Sequence, residues 1–466
     1  MPDRVPGLPS GWGVVARRRP VDLVSPTSPA VLLTPGGVPV PAPQPAPYAA
    51  LVADLEAAPA GRVELGLRSA AVRLTGWWDA ASGRTGLTVD DGGRVTEHRS
   101  RRWGRAPAPP HEVGLTLTGT HVTVLTRDAS GWTARGRVDL AERVDTRSEE
   151  FCGGLAATVA GDGATAARVG GFGQLGLRDL RFVTDGRGAL VRDGAALLLT
   201  ATHAGPGFFG TAHTGVWALD PLTYGLSHRA DLFFRRPDRP GAYGDHSTHL
   251  VRDDGRWLVA TSTWGDFDLT TPETRRRASV RVTLAETDAD LTRGRHLLDT
   301  RPLPLPVDGL ASVAVWDPHL LRHGDGWLVG YVSAPKFFRF HPVVAAGPTL
   351  DDLTVRSADR DRRATEGTTF VTVEGRTLVL ASDGRDGRRG QRRGYPVFDL
   401  DLAQVGALDA PYPSNLPWPN LAHDGSDWLL VTFDGTPAGG SLLGYGTHGD
   451  VVVMRTSRRL PSLVSR

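Results

Sequence analysis

Among 466 residues there is one cysteine, Cys152, and one lysine, Lys336. A single thiol excludes an intrachain disulfide and any zinc or iron–sulfur site built from several cysteines. Schiff-base chemistry would rest on Lys336 alone. Cys152 follows Glu149 and Glu150, whose carboxylates disfavour a thiolate, so it is not read as a nucleophile. An excess of one charge is also lacking: 53 Lys and Arg against 51 Asp and Glu leave a formal +2, too weak a field to gather nucleic acid or an anionic membrane. No stretch approaches the ~20 apolar residues of a membrane helix. Met1–Pro20 contains no apolar core of signal-peptide length, so the expected location is the cytoplasm. Backbone punctuation, by contrast, is abundant: 57 Gly and 35 Pro make up roughly a fifth of the chain and limit long helices. With 40% hydrophobic and 22% charged residues the chain is globular, and its length favours two domains.

The run VPVPAPQPAP at 38–47 closes a Pro-rich N-terminal segment, residues 1–47, expected to be extended and unable to join a ladder. A short helix is expected over Tyr48–Ala58. From Val63 to Leu140 apolar and polar residues alternate, most clearly at Leu115, Leu117, Val122 and Val124 around turns at Gly119 and Ser130-Gly131. Residues 48–165 are therefore expected to form an antiparallel β-sandwich-like domain. From residue 166 to 466 a unit recurs: strand, tight turn, apolar strand. It is seen at 178–204, 245–265, 316–335, 365–384 and 417–435. The turns carry Asp193-Gly194, Asp254-Gly255, Asp325-Gly326 and Glu374-Gly375, with Asp424-Gly425-Ser426-Asp427 in the fifth. Trp257, Trp327 and Trp428 recur at the start of the second strand, a pattern that reads as packing between units. Five such units predict an all-β chain ending in a five-bladed β-propeller.

In a propeller the inner strands begin on one face, so polar residues there converge. That position gives Asp179, then Asp245, His246 and His249, then Asp317 and His319, then Glu366, then Asn415, Trp418 and Asn420. Three carboxylates at matching points of three units are what acid/base hydrolysis of an acetal requires. Arg178-Asp179, Trp316-Asp317-Pro318 and Glu366-Gly367, opening the first, third and fourth units, resemble glycoside hydrolase family 43, whose five-bladed domains cleave arabinofuranosides and xylosides with inversion. The resemblance covers about Gly170–Thr456. It implies Asp179 as general base, Glu366 as general acid and Asp317 as the residue that orients the acid and raises its pKa. Asp179 is followed by Leu180 rather than the family's Pro, and Asn415 or Asn420 stands where the family often has a His organising a central metal or water.

No cofactor is required on this reading and no metal ligands are assigned; a central calcium is the family's option. An oligo- or polysaccharide is the expected partner, with Arg178, His246, His249, Trp264, Trp316, His319, Phe337 and Trp418 expected to bind it, the aromatics by stacking on sugar rings. Two alternatives stand beside this one. A retaining fructofuranosidase would place its acid on the third unit, where Asp317 stands instead of Glu, and a non-catalytic carbohydrate-binding propeller should have lost a carboxylate. The Arg-rich run 385–393 lacks interleaved aromatics and reads as a solvated loop. The sugar, the cleavage mode and the oligomeric state are left open by the sequence.

Overall fold

A computed structural model describes residues 5–456 except 44, 58, 60, 208, 425–426 and 444–448. The chain is all-β, with only two short α-helices among the described residues, Glu149–Gly153 and Pro272–Arg277. No described helix is long and apolar enough to cross a membrane.

The helix expected over Tyr48–Ala58 is instead a strand, Tyr48–Leu55, central in its sheet between Glu112–Thr118 and Ala164–Gln174. Tyr48 to Ala53 are buried on both faces. A continuous apolar run carries no period-2 signature, and burial overrides the helical preference of its Ala and Leu. Gly119, with φ 61°, makes the tight connection from Thr118 to His121. Leu115, Leu117, Val122 and Val124 then face Leu65, Leu67, Leu74 and Trp78 of a second antiparallel sheet across one core. The Pro-rich run is not wholly outside the ladders, because Val40–Pro41 pairs with Ala156–Ala157 at the edge of that second sheet. Proline is tolerated there, where its missing N–H faces no partner strand. The strand Ala164–Gln174 continues the first sheet past residue 165.

From Leu177 onward five further sheets follow, opening with Leu177–Phe182, His246–Asp253, Ala314–His323, Thr365–Val373 and Asn420–Asp424. Each packs on the next. Val216 and Leu232 of the first meet Trp257 and Val259 of the second. Leu284 of the second meets Trp327 and Val329 of the third, Leu328 of the third meets Val379 and Phe398 of the fourth, and Leu380 of the fourth meets Leu430 and Val452 of the fifth, with Trp428 against them. Leu177 and Leu199 of the first return to Leu429 and Val451 of the fifth, so the succession closes on itself. The fifth sheet is completed by Trp12–Arg18, which pairs with Asp450–Thr456; residues 1–47 thus include a strand of the C-terminal half.

The hairpin turns at Asp254-Gly255 (φ 45° and 83°) and Glu374-Gly375 (50° and 76°) have the double left-handed pair of a type I′ turn. In the first and third sheets the two-residue loops are Gly194-Ala195 and Gly324-Asp325, bracketed by Asp193↔Ala196 and His323↔Gly326. Gly425 and Ser426 of the fifth turn lie outside the described residues.

Candidate active site

The opening strands of the first four C-terminal sheets share a local irregularity. Pairing with the second strand slips between Arg178 and Arg181, His246 and His249, Trp316 and His319, and Glu366 and Thr369. The second residue of each tetrad is left-handed: Asp179 φ 50°, Ser247 61°, Asp317 59° and Gly367 72°. Each is a β-bulge, which re-aims side chains locally. In consequence Arg178 and Asp179, His246 and Ser247, and Trp316 and Asp317 all line one cavity of about 410 Å³, together with Glu366. The bulge alignment corrects the expectation of three equivalent carboxylates. Asp179 and Asp317 are equivalent, whereas Glu366 matches Arg178, His246 and Trp316, and Gly367 takes the aspartate position. A Cβ on Gly367 would meet the Trp418 ring at 2.4 Å, so glycine is demanded there by φ and by space together.

Asp179 and Asp317 are almost fully buried and Glu366 is half-buried. Ser247 Oγ donates to Asp179 Oδ2 at 3.3 Å, and Arg178 Nη2 lies 3.8 Å from the same oxygen. Trp418 Nε1 donates to Glu366 Oε1 at 3.3 Å. Beneath them the buried Arg181 donates to the backbone carbonyls of Asp317 and Thr368 and to Thr369 Oγ1, with its guanidinium 4.7 Å from the Trp418 ring centroid. Burial pushes the Glu366 carboxyl up to about 8, helped by the charge of Asp179. Burial, then Glu366 and Asp179, hold the Asp317 carboxyl well above the usual range. For Glu366 the leading causes are burial and then the charge of Asp179, the part that the resemblance gives to Asp317. Asp317 Oδ2 is buried with no hydrogen-bond partner.

Of the other residues read as binding, Arg178, His246, Trp264, Trp316 and Trp418 line the cavity. Burial pushes His246 down to about 4, and its Nδ1 meets the Gly244 carbonyl at 3.0 Å. His249, His319 and Phe337 do not line it. The two histidines stand at the fourth position of their tetrads, past the bulge, and stack on each other at 4.0 Å. Phe337 packs on Phe267, and its neighbour Phe338 lines the cavity instead. Asp245 is engaged by the buried Arg236 and by the Gly265 N–H. Asn420 Nδ2 joins the fifth sheet to the first through the Leu180 carbonyl, and Asn415 on the rim accepts from the Arg385 N–H. Arg385 and Asp386, at the start of the Arg-rich run, also line the cavity. Sequence reasoning missed Ser247, Arg181, Phe338 and Phe340. Aligning RDLR, HSTH, WDPH and EGTT would have revealed the first two. Cys152 is buried, and burial pushes its thiol up to about 12.

The residues around the stacked histidines do not fit a calcium ion, which takes oxygen ligands. His249 Nδ1 accepts from the Leu320 N–H, its Nε2 meets Thr184 Oγ1, and the charge felt by both rings is that of Arg181, a cation. A second histidine group lies where the two halves meet. Asp231 Oδ1 is 3.0 Å from His213 Nε2, 3.0 Å from His228 Nε2 and 3.5 Å from His203 Nδ1. Thr27 and Arg295 hold the other oxygen. These are zinc-type ligands, but a metal on His203 Nδ1 would leave the proton on Nε2, where Trp217 Nε1 already donates at 2.7 Å. The arrangement is a hydrogen-bonded junction. Burial holds His203 and His213 below the usual range, while against its own burial Asp231 is held well below it by His228, His213 and Arg295.

Neither a protein-family model nor a curated protein matches this sequence. Solved structures similar to it include glycoside hydrolases of families 43 and 32 and an inulosucrase. A GH43 enzyme of Xanthomonas citri aligns with TM-score 0.38 and 14% identity over 60% of this chain and 86% of that one. The inulosucrase of Halalkalicoccus jeotgali bound to kestose aligns with TM-score 0.44 and 14% identity over 60% and 84%. A GH32 β-fructofuranosidase of Bombyx mori gives 0.40 and 13% over 59% of each chain.

Proposed function

We propose that this chain is a glycoside hydrolase acting on furanosidic linkages, arabinofuranosides foremost, with inversion at the anomeric carbon. Its five closing sheets are the blades of a propeller, and the two preceding sheets form a β-sandwich. The observation that carries the proposal is the cavity itself: three carboxylates from three sheets in one aromatic-walled space, in which burial and the charge of Asp179 push the Glu366 carboxyl up to about 8. In this reading Glu366 donates its proton to the departing glycosidic oxygen. Asp179, oriented by Ser247, takes a proton from the water that attacks the anomeric carbon from the opposite side. Asp317 is a positioning residue on the shared floor. Trp264, Trp316, Trp418 and Phe340 line the same cavity and supply its aromatic wall.

The test is hydrolysis of a panel of aryl furanosides and arabinans by the full chain and two variants. Asp179→Asn is expected to lose activity on every substrate. Glu366→Gln is expected to lose natural glycans while sparing activated aryl leaving groups, whose departure needs less protonation. Full activity of Glu366→Gln on a glycan contradicts the assignment.

A further inference from the structure

Beside the catalytic cavity lies a larger one of about 1030 Å³, walled on one side by the N-terminal half and on the other by the C-terminal half. Phe209 and Phe338 line both, so the two spaces meet across an aromatic ridge. The ridge is built. Phe209 stacks on Trp264 at 4.5 Å and 14°, and Phe267 meets both rings edge-on. Phe338 sits in the two-residue turn between Lys336 and Arg339 with φ 64° and 56% of its surface exposed. A bulky residue held left-handed with its ring in water is costly in conformation and in apolar exposure. Presenting that ring to a ligand accounts for both.

The far wall is polar. It is made by His121 and by Arg137 and Asp139 on the strand Gly131–Asp139. Asp139 Oδ1 accepts from Thr120 Oγ1 and the Ala141 N–H, which fixes the carboxylate. Its Oδ2 is 3.7 Å from His121 Nε2, and burial keeps that imidazole neutral, pushed down to about 4. Arg137 is anchored through Nη1 on the Pro206 carbonyl. A fixed carboxylate, a neutral imidazole and a guanidinium around one groove offer acceptors and donors in the mixture that vicinal sugar hydroxyls satisfy.

We propose that this second cavity is a set of additional sugar subsites supplied by the N-terminal domain, so that the substrate is an oligo- or polysaccharide crossing the Phe338 ridge. This rests on the glycosidase reading above and names its substrate class. A single furanose ring needs only the catalytic cavity; the second one is used by the rest of the chain.

The experiment compares kcat/KM on an aryl furanoside with that on furanose oligosaccharides of two to six units, using the full-length protein. For the wild type kcat/KM is expected to rise at least tenfold with length. Phe338→Ala and Asp139→Ala, checked for native melting behaviour, are each expected to reduce the long-to-short ratio at least fivefold, mostly through KM. Phe338 is exposed, so its variant tests the ridge without a folding defect. Hydrolysis with the same kcat/KM at every length, or variants that leave the ratio unchanged, overturns the subsites alone. No hydrolysis of any member overturns the glycosidase reading and this inference with it.

Discussion

Glu366→Gln should make the protein more stable, and increasingly so as the pH rises. The side chain keeps its shape but loses its titration. A carboxyl carried from an ordinary 4.5 to about 8 bears a penalty on its charged form on the order of 5 kcal/mol, lowered in practice because Glu366 is half-buried and cavity water screens it. The folded pKa lies above the unfolded one, so wild type and variant are matched below pH ~4.5, where folded and unfolded states are both protonated. Between 4.5 and 8 the unfolded chain releases its proton while the folded chain retains it, and the wild type loses stability relative to the variant. Above 8 the difference is at its full value. Thermal or urea unfolding of both proteins from pH 5 to pH 9 measures it, and the expected result is a gap that opens by several kcal/mol over that range. A gap that is the same at pH 5 and pH 9 refutes the burial of an ionisable acid at this position, whatever the activity of the variant.

Activity should report the same group: kcat/KM is expected to fall above pH about 8, where Glu366, held up by burial and the charge of Asp179, loses its proton, and that limb should vanish in Glu366→Gln assayed on an activated aryl glycoside. On the acid side the buried histidines act in the opposite sense. His246, pushed down to about 4 by burial, stays neutral in the fold while the unfolded chain protonates below pH ~6.5, so stability should fall from pH 6.5 to 4 by roughly 3 kcal/mol from this residue alone. His246→Gln should flatten the slope of unfolding free energy against pH by about one proton, and an unchanged slope would tell against a neutral His246. Gly367→Ala meets both a positive φ and the Trp418 ring at 2.4 Å and should cost more than ~2 kcal/mol in urea unfolding while disabling the neighbouring acid.

The architecture was legible where a residue type answers a single physical demand. Asp-Gly and Glu-Gly turns can close tight hairpins, and Trp257, Trp327 and Trp428 fill the spaces between neighbouring sheets, so the repeat could be read directly. Tyr48–Leu55 was misread because a fully buried strand has no alternation. The strand Trp12–Arg18 escaped because its partner, Asp450–Thr456, lies at the other end of the sequence. Asp179, Asp317 and Glu366, which share the cavity, stood out in the sequence by their place before apolar strands. Their exact correspondence did not, since Glu366 holds the first place of its tetrad and the aspartates the second, an offset that shows only when the shared bulges are aligned. The same bulge explains His249 and His319: two residues past the left-handed position a side chain turns away from the cavity, and no spacing rule that ignores the bulge can say so.

The most direct test of the central claim is the anomeric configuration of the first product, followed by proton NMR within the first minutes of hydrolysis of a defined furanoside by the full-length protein. With Asp179 activating water and Glu366 protonating the leaving oxygen, the sugar is expected to appear with inverted configuration before mutarotation. A product of retained configuration would contradict the assignment of Asp179 as a base acting through water.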